Sequence, residues 1–339
     1  MKSVIVSGIR ATGRLHLGNY IGVLESMAAM SRDPTNDCYF FVADLHSLIT
    51  HTDAANIQAH ATEIVKDLLA AGVDAERSTI YVQSWIPTIP LLSWYLGCLT
   101  PVAELDRMAT FKDKVQKHSA NVNVGLLTYP VLMAADILGV RAKYVPIGPD
   151  QRPHLELARD LARRFNKRRG EKFFPVPKEH TFADVAVPGL YARTPDGIFP
   201  KMGKSEDARQ TIYLSDSAAE IEAKIARAPT DPARVLVTDC GTPEVCAIHA
   251  LHGVVSSPEL LISTAHGCRT ATINCYNCKK ELAGSVNARL TEFRERRREF
   301  DGSNARIMEL LHAGSERAAT QFAETTAAVG ECLGAYRPV

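Results

Sequence analysis

Four cysteines in the C-terminal third of the chain have the spacing of a metal site. Cys246, Cys268, Cys275 and Cys278 follow the pattern C-x21-C-x6-C-x2-C. A C-x2-C pair readily brings two thiolates to one metal, and the two further cysteines complete a set of four. Zinc and iron–sulfur clusters both accept four thiolates, so the spacing predicts a metal site without choosing between them.

Three neighbouring residues could also bind a metal. Cys240 does not fit the spacing, and we interpret it as a free thiol. His249 and His252 are interpreted as residues on the surface of a helix rather than as ligands.

A glycine-containing turn follows the first predicted strand. Gly8 and Gly13 permit a tight turn and a close approach of the backbone, and a helix is predicted to begin near residues 17–18. A turn of this kind, leading into a helix N-terminus, is where α/β folds bind phosphate groups. His16 and Asn19 would project near that helix start, although a surface histidine and a helix-capping asparagine explain the pair equally well.

The segment Y-P-V-L-M-A-A-D places three chemically useful side chains on an otherwise apolar helix face. Tyr129, Met133 and Asp136 lie at i, i+4 and i+7 and therefore share that face. A carboxylate there needs a hydrogen-bond donor, because an unpaired buried charge costs several kcal/mol. The spacing alone favours a structural role, in which Asp136 pairs with another side chain or caps a neighbouring helix.

Four β-branched or aromatic runs alternate with helical segments and must position these residues. The runs are residues 3–7, 38–43, 79–84 and 143–148. Alternating strands and helices predict a parallel sheet with helices on its faces. Two of the helical segments have clear apolar stripes, and Gly170 is the predicted C-cap of the second. The stripe residues are Ile57, Ile64, Leu68 and Ala71 in the first, and Leu155, Ala158, Leu161, Ala162 and Phe165 in the second.

The composition of the chain changes from about residue 171. A stretch rich in proline and glycine follows, which we interpret as irregular connections without strands. Beyond it, residues 216–228, 280–300 and 305–333 have helical patterns. The predicted organisation is an α/β domain over residues 1–200, a loop over 201–210 and a smaller helical domain over 211–339, whose last helix could pack back on the first domain.

The bulk composition fits a soluble two-domain protein. The chain has 339 residues, of which 46% are hydrophobic and 23% are charged. Its net charge of +1 gives no overall attraction to nucleic acid, so any RNA binding must use local patches. No apolar run could span a bilayer and no secretory signal is present, so we expect a cytoplasmic protein without membrane association and without a disulfide framework.

Several segments together resemble a known family. H-L-G-N (16–19) and K-M-G-K-S (201–205) resemble the two signature motifs of class I aminoacyl-tRNA synthetases, in the expected order. The segments F-F-V-A-D-L-H-S-L-I-T, G-L-L-T-Y-P-V-L-M-A-A-D-I-L and P-I-G-P-D-Q-R-P-H-L-E-L resemble bacterial tryptophanyl-tRNA synthetases, over nearly the whole chain. G-C-R-T-A-T-I-N-C-Y-N-C-K-K resembles the segment that binds a [4Fe–4S] cluster in one branch of that family.

The resemblance implies a fold and a reaction. The fold is a Rossmann-like parallel-sheet catalytic domain followed by an all-helical anticodon-binding domain. The enzyme would join L-tryptophan to ATP, as its magnesium complex, to give tryptophanyl-adenylate and pyrophosphate, and would then transfer the tryptophanyl group to tRNA(Trp). It would do so as a homodimer, with a [4Fe–4S] cluster on the four cysteines and zinc as the alternative.

The resemblance also implies site residues. The residues implied to act in catalysis are His16, Lys114, Lys201 and Lys204, with Lys112 as the near alternative to Lys114. Those implied to bind ATP are Arg10, Gly13, His16, Gly18, Asn19, Asp150, Lys201, Met202, Lys204 and Ser205. Those implied to bind tryptophan are Val6, Asp44, His46, Tyr129, Met133, Asp136 and Gln151, where Asp136 would accept the indole N–H and Gln151 would contact the ammonium group. From their position alone, Asp150 and Gln151 could instead cap the helix that follows them, and His46 could be structural.

Two alternatives to this function stay open at the level of sequence. Tyrosyl-tRNA synthetases share the fold. A paralogue that binds tryptophan or ATP without charging tRNA is the second alternative, because Gly203 replaces the first serine of the usual K-M-S-K-S motif. That replacement removes a hydroxyl and loosens the loop, so we expect a modest loss in adenylate formation.

Basic residues near the cysteines allow two interpretations. They are either a tRNA-binding surface or ordinary solvated helix faces. The residues are Lys279, Lys280, Arg294, Arg296, Arg297 and Arg298.

Overall fold

The computed structural model contains one five-stranded parallel sheet with helices on both faces, which confirms the predicted α/β class. The strands are β1 (Ser3–Ile9), β2 (Asn36–Val42), β3 (Ser78–Val82), β4 (Tyr144–Ile147) and β5 (Lys178–Thr181). Their order across the sheet is β3-β2-β1-β4-β5, and every neighbouring pair is parallel. The structure describes residues 2–50, 54–108, 111, 122–181, 185–191, 194, 197–203 and 208–335.

Strand β5 corrects the prediction that no strand follows residue 171. Its sequence, K-E-H-T, carries no apolar run, and Pro175 and Pro177 stand just before it. The strand nevertheless pairs in parallel with β4, with Tyr144 opposite Lys178 and Ile147 opposite Thr181. An edge strand has only one neighbour to pair with, so it tolerates polar residues that would be costly in the centre of the sheet.

The helices of the described residues fall into two groups along the chain. Those of the sheet region are α1 (Leu17–Asn19), α2 (Glu25–Arg32), α3 (Asp44–Leu48), α4 (Ala54–Ala70), α5 (Thr88–Gly97), α6 (Val102–Asp106), α7 (Val124–Gly139) and α8 (Arg152–Arg169). A π-helical turn, Tyr20–Leu24, joins α1 to α2, and the 3-10 turns Gln83–Trp85 and Pro149–Gln151 follow β3 and β4. The later helices are α9 (Ala218–Arg227), α10 (Ala247–Val255), α11 (Pro258–Arg269), α12 (Cys275–Arg289), α13 (Thr291–Arg298) and α14 (Asn304–Leu333).

The sheet separates two hydrophobic layers. Because side chains alternate along a strand, Ile5 packs in one layer and Val6 in the other, and Phe40 and Phe41 divide in the same way. Both predicted apolar stripes are buried, and Gly170 ends α8 in the left-handed conformation at φ 79°. The same alternation decides which side chains of β1 and β2 can reach a ligand and which only support the helices behind the sheet.

The long helix α14 packs against the five-stranded sheet. A Cβ atom on Gly314 would lie 1.8 Å from the carbonyl oxygen of Ile80, so the backbone of α14 lies directly on β3. Ser315 Oγ accepts a hydrogen bond from Val82 N at 3.4 Å, and Thr325 Oγ1 donates one to Gly139 O at 2.7 Å. The C-terminal helix therefore contributes to the support of the sheet.

The basic run of α13 carries three arginines that are engaged within the chain. Arg297 forms ion pairs with Glu63 and Asp67 on α4 and with Asp301. Arg296 Nε donates to Ala70 O at 2.7 Å, and Arg294 donates to Asp216 O at 3.3 Å. These arginines join α13 to α4 and to the segment before α9, so the interpretation of this run as a wholly solvated face is wrong.

Among the described residues, no helix combines the length and the apolar character needed to cross a membrane.

Candidate active site and cysteine site

A cavity of about 460 Å³ lies at the carboxyl ends of β1, β2 and β4. This is the edge at which open parallel sheets bind their ligands. Eight of the predicted site residues line it together: Val6, Arg10, His46, Tyr129, Met133, Asp136, Asp150 and Gln151. Gly8 also lines the cavity, and a Cβ atom at this position would lie 2.4 Å from the ring of Phe41, so only glycine leaves the wall open here.

The carboxylate of Asp136 lies at the inner end of this cavity and is held by two side chains. His46 Nε2 lies 2.9 Å from Asp136 Oδ2, and Gln83 Nε2 donates to Oδ1 at 2.8 Å and to Oδ2 at 2.9 Å. Asp136 is 1% exposed. The structural role predicted from the spacing is therefore confirmed in one respect, because Asp136 pairs with other side chains. The same carboxylate also lines the cavity, so pairing does not remove it from contact with a ligand.

Burial and hydrogen bonding act on Asp136 in opposite directions. Burial raises the pKa of the Asp136 carboxyl, whereas the hydrogen bonds and charge of His46 and the hydrogen bond of Gln83 lower it. The pKa stays above its ordinary value, because the loss of hydration outweighs the two partners. A carboxylate in this state favours any further donor that reaches it.

A chain of hydrogen bonds fixes the polar side of the cavity. Gln151 Nε2 donates to Asp150 Oδ2 at 2.5 Å, which turns Gln151 Oε1 toward His154 Nδ1 at 3.0 Å. In the neutral imidazole, Nδ1 then carries the proton and Nε2 accepts from the hydroxyl of Tyr129 at 2.8 Å. Gln151 and Asp150 make no side-chain cap to α8, so the capping interpretation is not supported. His154 was not predicted from the sequence.

Arg10 brings a positive charge into the same cavity. Its Nη2 donates to Thr50 Oγ1 at 2.6 Å, and burial lowers the pKa of the guanidinium without bringing it into the physiological range. A permanently charged, partly buried guanidinium at the mouth of a cavity suits an anionic ligand such as a phosphate.

Asp44 is near the cavity but does not line it. Its Oδ1 accepts from the backbone N–H groups of Leu45 and Ser84, both at 3.0 Å, and the hydroxyl of Ser84 donates to Oδ2. These bonds join the start of α3 to the 3-10 turn after β3. The structure thus gives Asp44 a structural position, and its predicted contact with tryptophan stays a prediction.

His16 and Asn19 form a capping box at the start of α1. Asn19 N donates to His16 Nδ1 at 3.3 Å, and His16 N donates to Asn19 Oδ1 at 3.1 Å. The helix begins at Leu17, as predicted, and His16 is 5% exposed rather than a surface residue. Gly13 has φ +133°, a conformation that favours glycine.

The second signature segment lies beside the first. Met202 N donates to Val187 O at 2.9 Å, and a Cβ atom on Gly18 would lie 3.6 Å from Val187 Cβ. Lys201 is exposed beside Pro188. Val187 therefore brings the two predicted ATP-binding segments together. Lys112, Lys114, Lys204 and Ser205 lie outside the described residues.

The four cysteines of the C-terminal region line one small cavity of about 20 Å³. Cys246 precedes α10, Cys268 lies in the last turn of α11, and Cys275 and Cys278 lie in the first turn of α12. Four thiols around one cavity are the kind and number of donors that a four-thiolate centre needs. Within the described ranges, no group of three or more His, Cys, Asp or Glu side chains has the arrangement that would hold a metal ion. The metal site therefore stays a prediction.

The surroundings of the cysteines differ from the prediction at one histidine. His252 is fully buried, its Nδ1 bonds to Ser256 Oγ at 2.7 Å, and its Nε2 bonds to Cys278 O at 3.1 Å. The interpretation of His252 as a surface residue is wrong, because α10 packs against α12 on that side. Arg234 Nη1 lies 3.8 Å from Cys268 Sγ, and Cys240 is exposed and does not line the cavity.

Comparisons with known proteins agree with this geometry. The family described as "tRNA synthetases class I (W and Y)" matches residues 1–291. A tryptophan–tRNA ligase of Porphyromonas gingivalis is 40% identical over 97% of this chain and 98% of its own length, and one of Deinococcus radiodurans is 36% identical over 98% of both. The crystal structure of Campylobacter jejuni tryptophanyl-tRNA synthetase complexed with ADP and tryptophan superposes with a TM-score of 0.84 at 27% identity, covering 98% of this chain and 99% of that one.

Proposed function

The chain belongs to the class I tRNA synthetases for tryptophan and tyrosine and is a tryptophan–tRNA ligase, and from that premise we propose that Asp136 selects the substrate by accepting the indole N–H. The observation that carries this proposal is a fully buried, doubly held carboxylate in the wall of the cavity. An amino acid without a hydrogen-bond donor at that point would leave the carboxylate one hydrogen bond short. Sites of this kind reject such analogues by about 10⁴–10⁵.

The remaining contacts of the amino acid follow from the same cavity. Met133 and Val6 offer apolar and polarizable surface to the indole ring. Tyr129 and Gln151 lie in the hydrogen-bonded chain that ends at Asp150, and they contact the ammonium group through oxygen atoms. His46 supports Asp136 and completes the wall around the ring. Asp44 holds the turn that carries Gln83 and lies beside the cavity, and its contact with tryptophan is part of this proposal.

The ATP site lies along the two signature segments. Arg10, Asp150 and the turn at Gly13 lie at or near the cavity. The turn leads into α1, whose start at His16 and Asn19 contacts phosphate and ribose oxygens, while Gly18 and Met202 shape the backbone around them. In the first step the tryptophan carboxylate attacks the α-phosphorus in line and pyrophosphate leaves. Lys201 and Lys204, with Ser205, bind the leaving pyrophosphate, and Lys114 reaches the triphosphate.

No side-chain nucleophile is needed for this reaction. The substrate carboxylate is the nucleophile, and the terminal adenosine of tRNA(Trp) accepts the acyl group in the second step. Rate enhancement then comes from positioning and from stabilisation of charge on the phosphates, to which the Mg²⁺ bound with ATP would add its own charge. We propose a cytoplasmic location, because tRNA(Trp) and ATP are available there.

Exchange of labelled pyrophosphate into ATP tests the first step, with tryptophan and tyrosine supplied separately. We expect exchange with tryptophan and none above background with tyrosine. Exchange with tyrosine alone would identify a tyrosyl-tRNA synthetase. Formation of adenylate without Trp-tRNA, when tRNA is added, would instead identify a paralogue that does not charge tRNA.

The four cysteines hold a [4Fe–4S] cluster in this proposal. The donor set around the small cavity supports it, because a cluster takes one thiolate at each of four irons and all four cysteines line that cavity. Zinc, which also accepts four thiolates, is the alternative. The cluster would act as a structural centre, since aminoacylation has no redox step. Iron content and the visible spectrum of anaerobically purified protein test this: a colourless, zinc-loaded protein would exclude the cluster and leave the enzyme assignment unchanged.

The protein assembles as a homodimer in this proposal. Exposed apolar side chains on α5 and α6 support it: Leu91, Trp94 and Val102 are 43%, 72% and 69% exposed. Such side chains are unusual on the surface of a monomer when they lie together. Light scattering tests the proposal, and a mass of one chain at micromolar concentration would contradict it.

A further inference from the structure

We propose that Gln83 is a positioning residue for tryptophan recognition, which orients the Asp136 carboxylate so that Oδ1 accepts the indole N–H. The inference rests on the proposed contact between Asp136 and the substrate. Gln83 is a residue that the sequence did not single out. It lies in the 3-10 turn directly after β3, and it is 0% exposed.

The acceptor positions of the carboxylate decide which oxygen faces the substrate. An ionised carboxylate has about four lone-pair positions, two on each oxygen. Among the described residues, Oδ2 accepts from both His46 and Gln83, whereas Oδ1 accepts from Gln83 alone. One position on Oδ1 is therefore left for a donor in the cavity. Without Gln83 the carboxylate would be held at one point only and could rotate about its bond to the helix.

The backbone that carries Gln83 is fixed from both sides. Ser84, the next residue, donates to Asp44 through its backbone N–H at 3.0 Å and through its hydroxyl. Trp85 stacks on His312 of α14, with ring centroids 4.7 Å apart. The residue before the turn, Val82, donates to Ser315 Oγ. The donor atom is thus carried on a short segment with little freedom, which is what precise positioning of a ligand contact requires.

The other end of the Gln83 amide distinguishes positioning from simple packing. Gln83 Oε1 is buried and has no hydrogen-bond partner among the described residues. An unpaired buried amide oxygen destabilises a fold, and an apolar side chain of similar volume would avoid that cost. Packing alone therefore gives no reason for an amide here, whereas the two bonds to Asp136 do.

A double-mutant cycle with Asp136 tests the proposal. The substrates are tryptophan and its benzothiophene isostere, β-(3-benzothienyl)alanine, in which sulfur replaces the N–H. We expect Gln83→Met to reduce the preference for tryptophan over the isostere about tenfold, through the KM for tryptophan, with the KM for ATP unchanged. In the Asp136→Asn background the same change should have no further effect, because Gln83 acts through Asp136.

A second readout is the pH profile. The Gln83 hydrogen bond lowers the pKa of Asp136, so its removal should shift the acid limb of kcat/KM for tryptophan to higher pH. Ser78→Ala is the matched control. It removes another buried oxygen that has no partner among the described residues, from β3, the strand that leads into the turn, and it should change neither the preference nor the profile. If Gln83→Met fails to fold, Gln83→Asn takes its place. It shortens the side chain by one methylene group, and we expect it to reduce the preference for tryptophan as well.

The outcomes separate the inference from the proposed function. If Asp136→Asn leaves the preference for tryptophan unchanged, the indole contact itself is wrong. If Asp136→Asn abolishes the preference while both Gln83 variants keep it, the indole contact stands and the positioning role is refuted. Additive effects of Gln83→Met and Asp136→Asn would also refute it.

Discussion

His46 Nε2 lies 2.9 Å from Asp136 Oδ2, so a residue of α3 holds the buried carboxylate of α7 across the floor of the cavity. Gln83 approaches the same carboxylate from a third element, the turn after β3. Three segments that are far apart in sequence thus meet at one pair of oxygen atoms. In the proposed function, the choice of amino acid depends on how those oxygens face the cavity.

Substitution of Asp136 should affect tryptophan and not ATP. We expect Asp136→Asn to raise the KM for tryptophan about 10- to 100-fold, because a hydrogen bond to a charged group is lost, and to leave the KM for ATP within about twofold. Pyrophosphate exchange at varied concentrations of each substrate measures both constants. Asp216→Asn is the control, since Asp216 is also buried and paired but with Lys224, outside the cavity. An unchanged KM for tryptophan would contradict the indole contact.

The raised pKa of Asp136 makes a prediction about pH. Because the folded-state pKa lies above the ordinary 3.8, the ionised carboxyl costs stability, and this cost grows as pH rises from about 4 through the raised pKa. The melting temperature of Asp136→Asn relative to the parent should therefore improve as pH rises through that window. Thermal unfolding of both proteins at several pH values measures the difference. If the melting temperature of Asp136→Asn instead falls relative to the parent as pH rises, then His46 and Gln83 lower the pKa of Asp136 by more than burial raises it.

Restoring the serine of the second signature should speed the first step. We expect Gly203→Ser to increase the rate of adenylate formation several-fold, because it adds a hydroxyl donor and reduces the freedom of the loop. Rapid-quench measurement of adenylate gives this rate directly. Gly284→Ser is the control: it adds the same side chain in α12, where nothing lies within 4 Å of a new Cβ atom. A slower first step would mean that glycine is needed at position 203.

The cysteine site should affect stability more than catalysis. Cys275→Ser should remove iron and visible absorption and should lower the melting temperature, while tryptophan-dependent pyrophosphate exchange changes by less than about twofold. The reason is that the two cavities share no lining residue. Cys98→Ser, at an exposed cysteine outside both cavities, should change none of these properties. Loss of exchange in Cys275→Ser at a temperature where it stays folded would place the cysteine site in the catalytic step.

Removal of Arg297 should loosen the attachment of α13 to α4. We expect Arg297→Ala to lower the free energy of unfolding by about 1–2 kcal/mol, because Glu63 and Asp67 lose their partner. Denaturant unfolding measures the change. Arg298→Ala, at an exposed position in the same run, should be close to neutral. If instead the two variants weaken tRNA binding equally and leave stability unchanged, the run acts mainly as an RNA-binding surface.

The strands and the capped helix were predictable because their signals are local. β-Branched or aromatic runs of five or six residues gave four of the five strands, and a stripe of period 3.6 followed by Gly170 gave α8. Strand β5 was missed because its pairing depends on β4, which lies more than thirty residues earlier, and not on its own composition. Local pattern therefore identified four strands, including the apolar edge strand β3, and missed the polar edge strand β5.

The same distinction explains which site residues were found. Tyr129, Met133 and Asp136 share a helix face, so their meeting in one cavity follows from spacing. Gln83 and His154 are single polar residues whose partners come from other elements, and nothing near them in sequence marks them. A glutamine at the end of a buried strand was the available signal, since such a polar group must have a partner.

The contact between α14 and β3 has a consequence for how the protein is made. The ribosome releases the residues of the sheet long before it releases Asn304–Leu333, yet Gly314 and Ser315 cover the backbone of β3. A nascent chain therefore carries an incompletely covered parallel sheet until α14 emerges. A chain that stops before α14 lacks that cover, so we expect it to be less stable than a chain that includes the helix.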